Sequence, residues 1–165
     1  MNGSFNKSDG SAGLGGALRR DNCKIIMAFY FPYICNNHNL AEAYAAYLGI
    51  TWCIQNGYTD LTLEMDSLLL IDMLRGEKES NYRMANITEK IAQLRRTTNI
   101  NIHHCYREAN QLADCLAKMA SKAQNGAFFF SGQQLPKAAK GPYHLDKSQI
   151  PSIRIKYDKA NFFVS

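Results

Sequence analysis

The chain has 165 residues and a formal net charge of +5, with 46% hydrophobic and 20% charged residues. This composition is typical of a folded globular domain and excludes a disordered chain. No apolar run approaches the ~20 residues of a transmembrane helix, and the first residues lack the basic and apolar stretches of a secretory signal. Because its five cysteines form no Cys-x-x-Cys pair, the sequence predicts a reduced, intracellular protein without membrane contact.

In chain order, the patterns alternate between strands and helices. The first 22 residues are rich in Gly, Ser and Asn. They predict a loop or hairpin connection, with a first strand at 17–20 and a second at 24–31. A helix at about 40–55 has Asn39 as its expected N-cap, with Glu42 as capping-box partner. The later segments predict a strand at 61–65, a short helix to Arg75, a helix at about 82–96, a strand at 100–104 and a helix at about 108–122. This order predicts an α/β domain with a mixed sheet.

The charge surplus lies at the C-terminal end. Residues 1–121 hold 12 basic and 12 acidic side chains, whereas residues 122–165 hold 7 basic and 2 acidic ones. A neutral body argues against a protein that coats nucleic acid by charge alone. We therefore expect a domain at 1–121 and a basic C-terminal tail at 122–165 that contains prolines and aromatic residues. The tail is either poorly packed or docked on its own domain.

Three carboxylates lie where a strand or loop meets a helix, namely Glu42, Asp66 and Asp114. Metal-dependent cleavage of a phosphodiester needs several carboxylates from different elements, which hold two cations about 3.5–4 Å apart. Clustered carboxylates repel one another, so metal is the main stabiliser of such a site. Each residue also has a structural explanation, as cap partner, N-cap or solvated helix residue, and spacing alone leaves both readings open.

Four local motifs occur in a fixed order: Asp-Gly-Ser before a Gly-Gly pair, Leu-Ala-Glu-Ala-Tyr-Ala-Ala, Leu-Glu-Met-Asp-Ser, and Arg-Glu-Ala-Asn-Gln-Leu-Ala-Asp-Cys-Leu-Ala-Lys. Together they resemble the ribonuclease H domain family over about residues 1–121, in particular its plant branch of reverse-transcriptase-like domains. The resemblance implies a five-stranded mixed sheet flanked by helices, with the first strand truncated in this chain. It also implies Mg²⁺-dependent endonucleolytic hydrolysis of the RNA strand of an RNA–DNA hybrid, with Mn²⁺ as the alternative ion. Glu42, Asp66 and Asp114 match the family's catalytic, metal-holding carboxylates.

The family's first carboxylate has two candidate positions in this chain. Asp9 stands in the matching Asp-Gly-Ser letters, but only eight residues precede it, where the family has an apolar strand. Counting back from the Gly-Gly pair by the family's usual loop length instead reaches Asn2, which is the favoured register. An amide there keeps an oxygen ligand but loses the charge that holds a bridging ion.

The resemblance also assigns lesser roles. His104 lies about where some relatives carry a histidine that helps product release, although an exposed imidazole at a strand end is the alternative. Ser67 and Asn110 are candidate substrate-binding residues. The rival to an active ribonuclease is a catalytically impaired, retroelement-derived module that binds nucleic acid. Either protein is expected to act as a monomer.

Overall fold

The structure is a computed structural model and describes residues 11–20, 24–35, 37–106, 110–149 and 160–164. The strands are β1 (Ser11–Arg19), β2 (Ile25–Ile34), β3 (Asp60–Met65), β4 (Asn99–His104), β5 (Ala127–Phe129) and β6 (Ala160–Val164). The helices are α1 (His38–Gln55), α2 (Leu68–Arg75), α3 (Ala85–Thr97), α4 (Gln111–Ala120) and α5 (Lys137–Gln149), with a short 3-10 helix at Gly132–Gln134.

The six strands form one mixed sheet in the order β4-β3-β6-β1-β2-β5. β3 pairs in parallel with β4 and β6, whereas β1 pairs antiparallel with β2 and β6, and β2 pairs antiparallel with β5. The predicted α/β class and mixed sheet are confirmed. The sheet also contains β5 and β6 from the C-terminal part of the chain.

Helices cover both faces of this sheet. One core cluster joins the sheet to α1, α2 and α3, and a second joins it to α4 and α5. Alternation along β1 separates the two clusters, because Leu14 and Leu18 belong to the first and Ala17 to the second. The periodicity of the strands and helices predicts a core that contains Leu48, Trp52, Leu63, Ile87, Ile91 and Leu116. The last four are buried, whereas Leu48 and Trp52 are only partly buried.

The predicted loop before residue 17 is wrong for residues 11–16, which already belong to β1. Small residues are needed there because α4 lies directly on the strand. A Cβ atom on Gly15 would lie 2.5 Å from the Ala117 amide nitrogen and 2.7 Å from the Ala113 carbonyl oxygen. Glycine therefore allows a close approach of α4 to β1 at this position. The glycine-rich composition of the segment had suggested a loop.

Two helix caps also differ from expectation. α1 is capped by Asn37, whose side chain accepts a hydrogen bond from the Leu40 amide, so Glu42 lies too far along the helix for a capping box. α2 is capped by Ser67, which accepts from the Leu70 amide. Neither Glu42 nor Asp66 is therefore needed as a cap, which removes the structural explanation offered for each.

The prediction of a poorly packed tail is wrong for the described residues beyond 122. Leu135, Ala139 and Tyr143 are buried in the second core cluster, and β5 extends the sheet beside β2. The alternative, docking on the domain itself, describes this region. The sequence also suggests a short strand at 152–157, and these residues lie outside the described part of the chain.

The middle of the sheet is completed by β6. Phe162 pairs with Leu63 of β3 on one side and with Leu18 of β1 on the other. Without β6, these two strands would present unpaired edges in the centre of the sheet. None of the described helices is both long and apolar enough to cross a membrane.

Replacing Phe162 by proline should destabilise the fold by about 3 kcal/mol, because proline removes a ladder hydrogen bond from a central strand. Urea denaturation followed by circular dichroism measures this change. Phe162→Val is the matched control, since valine keeps the amide and favours strands. Equal midpoints for the proline variant and the unmodified protein would show that β6 contributes nothing to the sheet.

Candidate active site

The candidate site lies at the end of the sheet where β3 finishes. β6 runs parallel to β3 and antiparallel to β1, so the Ser11 end of β1 and the Met65 end of β3 share one end of the sheet. The start of α1 is tied to the same end, because the Ser67 hydroxyl donates to Asn39 Oδ1 over 3.1 Å. This contact places the residues after β3 beside the first turns of α1.

Glu42 is the most buried carboxylate of the described chain, with 0% of its surface exposed. Within the described part of the chain, neither of its oxygens has a well-formed hydrogen bond, although His38 Nε2 lies 3.3 Å from Oε1. The pKa of Glu42 is raised from 4.5 to about 7, mainly by burial; the His38 contact opposes this rise, and the negative charge of Asp66 makes a smaller contribution to it. Glu42 and Asp66 therefore act on each other electrostatically, as two carboxylates of one site would.

The burial of Glu42 predicts how stability depends on pH without metal. Because the pKa is raised from 4.5 to about 7 in the folded state, the native protein binds more protons than the unfolded chain between these values. The contribution of Glu42 to the free energy of unfolding is therefore complete below about pH 4.5 and is lost as pH rises to about 7. Glu42→Gln, which carries no charge, should be more stable than the unmodified protein by about 3 kcal/mol at pH 8 and equal to it at pH 4.

Urea denaturation of both proteins in a chelator, at the two pH values, measures this difference. Added Mg²⁺ should reduce the gap at pH 8, since a cation compensates the buried charge. Glu89→Gln is the control, because Glu89 is exposed and forms a surface ion pair with Arg96 at 3.5 Å. A gap between the Glu42 variant and the unmodified protein that is the same at pH 4 and pH 8 would contradict the prediction.

Asp114 lies in the first turn of α4, on the other helix layer of the sheet. Lys118 Nζ is 2.9 Å from its Oδ2, whereas Oδ1 is buried and has no hydrogen-bond partner in the described chain. One oxygen is thus held by a lysine and the other remains available to a cation.

The contact between Ser67 and Asn39 places the residues after β3, next to Asp66, beside the first turns of α1, which carry Glu42. The structure does not show Asp114 joining them. Among the described residues, no three His, Cys, Asp or Glu side chains lie close enough to hold one metal ion. The donor chemistry nevertheless fits a hard divalent cation, because buried carboxylate oxygens without hydrogen-bond donors are ligands that Mg²⁺ prefers. Glu42 and Asp66 are the residues that would hold it.

The remaining predicted residues have varied positions. His104 is exposed at the end of β4 and packs edge-on against the Tyr106 ring. Asn110 is almost completely buried at the start of α4, and Ser67 is partly buried at the cap of α2. Both candidate positions for the first carboxylate, Asp9 and Asn2, lie outside the described residues.

Two contacts escaped sequence reasoning, namely those of His38 with Glu42 and of Lys118 with Asp114. Each pair is separated by four residues on one helix, a spacing that places side chains side by side. That spacing was the available signal in the sequence. It becomes informative only once the acidic member is known to belong to a site.

The mixed sheet with helices on both faces is shared with two solved ribonuclease H structures. Ribonuclease H1 from the halophilic archaeon Halobacterium salinarum NRC-1 is similar, with a TM-score of 0.66 and 23% identity, over 71% of this chain and 91% of that one. The N-terminal RNase H domain of Rv2228c from Mycobacterium tuberculosis has a TM-score of 0.52 and 18% identity, over 66% of this chain and 91% of that one. At these identities the similarity establishes the ribonuclease H fold.

The chain belongs to the reverse transcriptase-like family, whose sequence profile matches residues 1–120. This confirms the resemblance to reverse-transcriptase-like ribonuclease H domains that the motifs indicated, whereas the plant branch stays a prediction. No curated protein matches the chain.

Proposed function

We propose that this domain is a metal-dependent ribonuclease that cleaves the RNA strand of RNA–DNA hybrids. One observation carries the proposal: a fully buried glutamate without a well-formed hydrogen bond lies within electrostatic reach of Asp66, in a ribonuclease H fold. A carboxylate in such a place is costly unless a cation compensates it. Metal-dependent cleavage of a phosphodiester requires a cation held beside the phosphate.

The chain's own residues would have distinct tasks. Glu42 and Asp66 would hold the cation, and Asp114 would add its buried Oδ1 oxygen. His38 and Lys118 would position Glu42 and Asp114, the carboxylates that they contact. The chemistry that a bound divalent ion supplies is activation of a water and neutralisation of phosphate charge.

Selection of RNA would come from the 2′-hydroxyl groups, which line the minor groove of an A-form duplex. Ser67 and Asn110 stay our candidates for substrate contacts. Ser67 is the better placed of the two, since it is partly exposed next to Asp66, whereas Asn110 would have to act from a buried position.

The second candidate function is nucleic-acid binding without cleavage. It is favoured by the absence of a three-residue metal cluster among the described residues. It is also favoured if Asn2 holds the first ligand position, because three carboxylates hold two divalent ions poorly. The motif combination and the lack of a Cys-x-x-Cys pair in the sequence further lead us to infer an intracellular monomer of retroelement ancestry, from the plant branch of the family.

A cleavage assay separates the two functions. An end-labelled RNA–DNA hybrid is incubated with the protein in Mg²⁺, in Mn²⁺ and in a chelator, beside single-stranded RNA and duplex DNA of the same sequence. Metal-dependent cleavage of the RNA in the hybrid alone supports the ribonuclease. Hybrid binding without cleavage supports the binding module, and absence of both would refute the two proposals.

The first ligand position is tested in the same assay. If Asn2 holds it, Asn2→Asp should increase cleavage and Mg²⁺ affinity, because it restores a negative charge, while Asp9→Asn should change little. Loss of cleavage in Asp9→Asn, with no gain from Asn2→Asp, would assign the position to Asp9.

A further inference from the structure

A cavity lies at the opposite end of the sheet from Asp66, since the start of β2 pairs with the Arg19 end of β1. It has a volume of about 550 Å³ and opens between the start of β2, the 3-10 helix and α5. Its polar lining residues are Lys24, Ser131, Gln133, Lys140, Tyr143 and His144. We name it the β2–α5 pocket.

The basic side chains that line the β2–α5 pocket are two lysines and a histidine. Among the described residues that line it, none is acidic. Within the described chain, Lys140 and His144 form no ion pair, and both are exposed. Like charges gathered around a concave surface concentrate a positive field, which favours an anion.

The pocket is also held in shape by packing. Gly132 lies against the Tyr143 ring, where an added Cβ would be 2.7 Å from Cε1. Tyr143 is buried in the second core cluster, and the Arg19 guanidinium lies over its ring at 5.8 Å. The cationic side chains therefore project from a fixed wall that joins three separate segments of the chain.

Two further observations bear on the ligand. The family profile ends at residue 120, so most of the pocket belongs to the part of the chain that the family match does not cover. The same part carries the whole charge surplus, with 7 basic and 2 acidic residues in 122–165. A polyanion that reaches both ends of the sheet accounts for a basic pocket far from the carboxylates.

We propose that the β2–α5 pocket binds the phosphodiester backbone of the hybrid and anchors it away from the site of cleavage. This inference rests on the proposed function, since the hybrid is the same substrate. Lys24 and Lys140 neutralise backbone phosphates, while Ser131 and Gln133 offer hydrogen bonds. Backbone contacts of this kind fix the register of a duplex without reading its sequence.

The test measures how hybrid affinity depends on salt. Fluorescence anisotropy with a labelled hybrid of about 20 base pairs, in chelator at pH 8, gives the affinity between about 50 and 200 mM salt. Each lost phosphate contact should reduce the slope of log affinity against log salt by about 0.9. Lys140→Gln should therefore reduce it by about one, and Lys24→Gln combined with Lys140→Gln by about two.

Lys137→Gln is the matched control. Lys137 is exposed on α5, as Lys140 is, but it does not line the pocket. Its replacement by glutamine removes the same charge. An equal reduction of the slope in this control, or an unchanged slope in the double variant, would overturn the anchor. The anchor would also be overturned if inorganic phosphate binds the protein but the double variant binds the hybrid with the same salt dependence as the unmodified protein. Failure of the unmodified protein to bind hybrid would instead refute the proposed function.

Discussion

Replacing Gly13 by alanine should destabilise the protein by more than about 3 kcal/mol, a large part of the 5–15 kcal/mol that stabilises a typical domain. An added Cβ would overlap the Ala117 carbonyl oxygen and lie 2.6 Å from the Ser121 amide nitrogen. Both contacts are with the backbone of α4, so no side chain can rotate away. Relief requires α4 to move off β1, which would open the second core cluster.

Gly141→Ala is the control, with an expected effect of opposite sign. Gly141 lies in α5, and an added Cβ there meets nothing within 4 Å. Alanine should stabilise the helix by about 0.5–1 kcal/mol, because it reduces the freedom of the unfolded chain. Urea midpoints of the two variants measure both effects. A Gly13→Ala variant as stable as the unmodified protein would mean that α4 does not lie against β1 as described.

Neutralising either coupled carboxylate should abolish most of the hybrid cleavage. Glu42→Gln and Asp66→Asn each keep the shape of the side chain and remove its charge, so both should reduce the cleavage rate by about 10²- to 10³-fold. Metal affinity should fall in parallel, because each variant loses a charged ligand. Single-turnover cleavage and calorimetric titration with Mg²⁺ measure the two effects.

Asp114→Asn and Glu89→Gln complete this series. If Asp114 belongs to the site, its variant should behave as the Glu42 and Asp66 variants do. Glu89 is exposed on α3, and its variant should cleave normally. Normal cleavage by Asp114→Asn would confine the metal site to the other two residues. Normal cleavage by Glu42→Gln would refute the proposed role of the buried carboxylate.

Local patterns predicted most elements because they depend on neighbours in the chain. The alternation of Leu61, Leu63 and Met65 with polar residues predicted β3, and all three are buried. A glycine after a helical pattern predicts the end of the helix, and Gly57 and Gly76, which follow α1 and α2, have φ angles of 85° and 77°, in the region that favours glycine. The family motifs likewise predicted the ribonuclease H fold, since their residues are specific in combination.

The candidate site could be predicted only in its membership. Glu42, Asp66 and Asp114 were identified from motifs, but the burial of Glu42 and its coupling to Asp66 depend on the packing of α1 against the end of β3. The capping-box explanation for Glu42 was wrong because Asn37, two residues earlier than expected, caps the helix. A cap is chosen by the geometry of the entering chain, which the sequence does not specify.

By itself, the sequence determined the α/β class, the order of the elements through α4 and the residue types available for metal chemistry. Periodicity and motifs are local, and they survive without knowledge of distant contacts. Only the tertiary structure decided that β6 completes the centre of the sheet, where Leu61 pairs with Ala160 across 99 positions of the sequence. It also decided that the supposed tail contributes three of the eight buried residues of the second core cluster and most of the lining of the β2–α5 pocket. Such pairings depend on which edges and faces remain uncovered after the local elements have formed, and no short stretch of sequence encodes that.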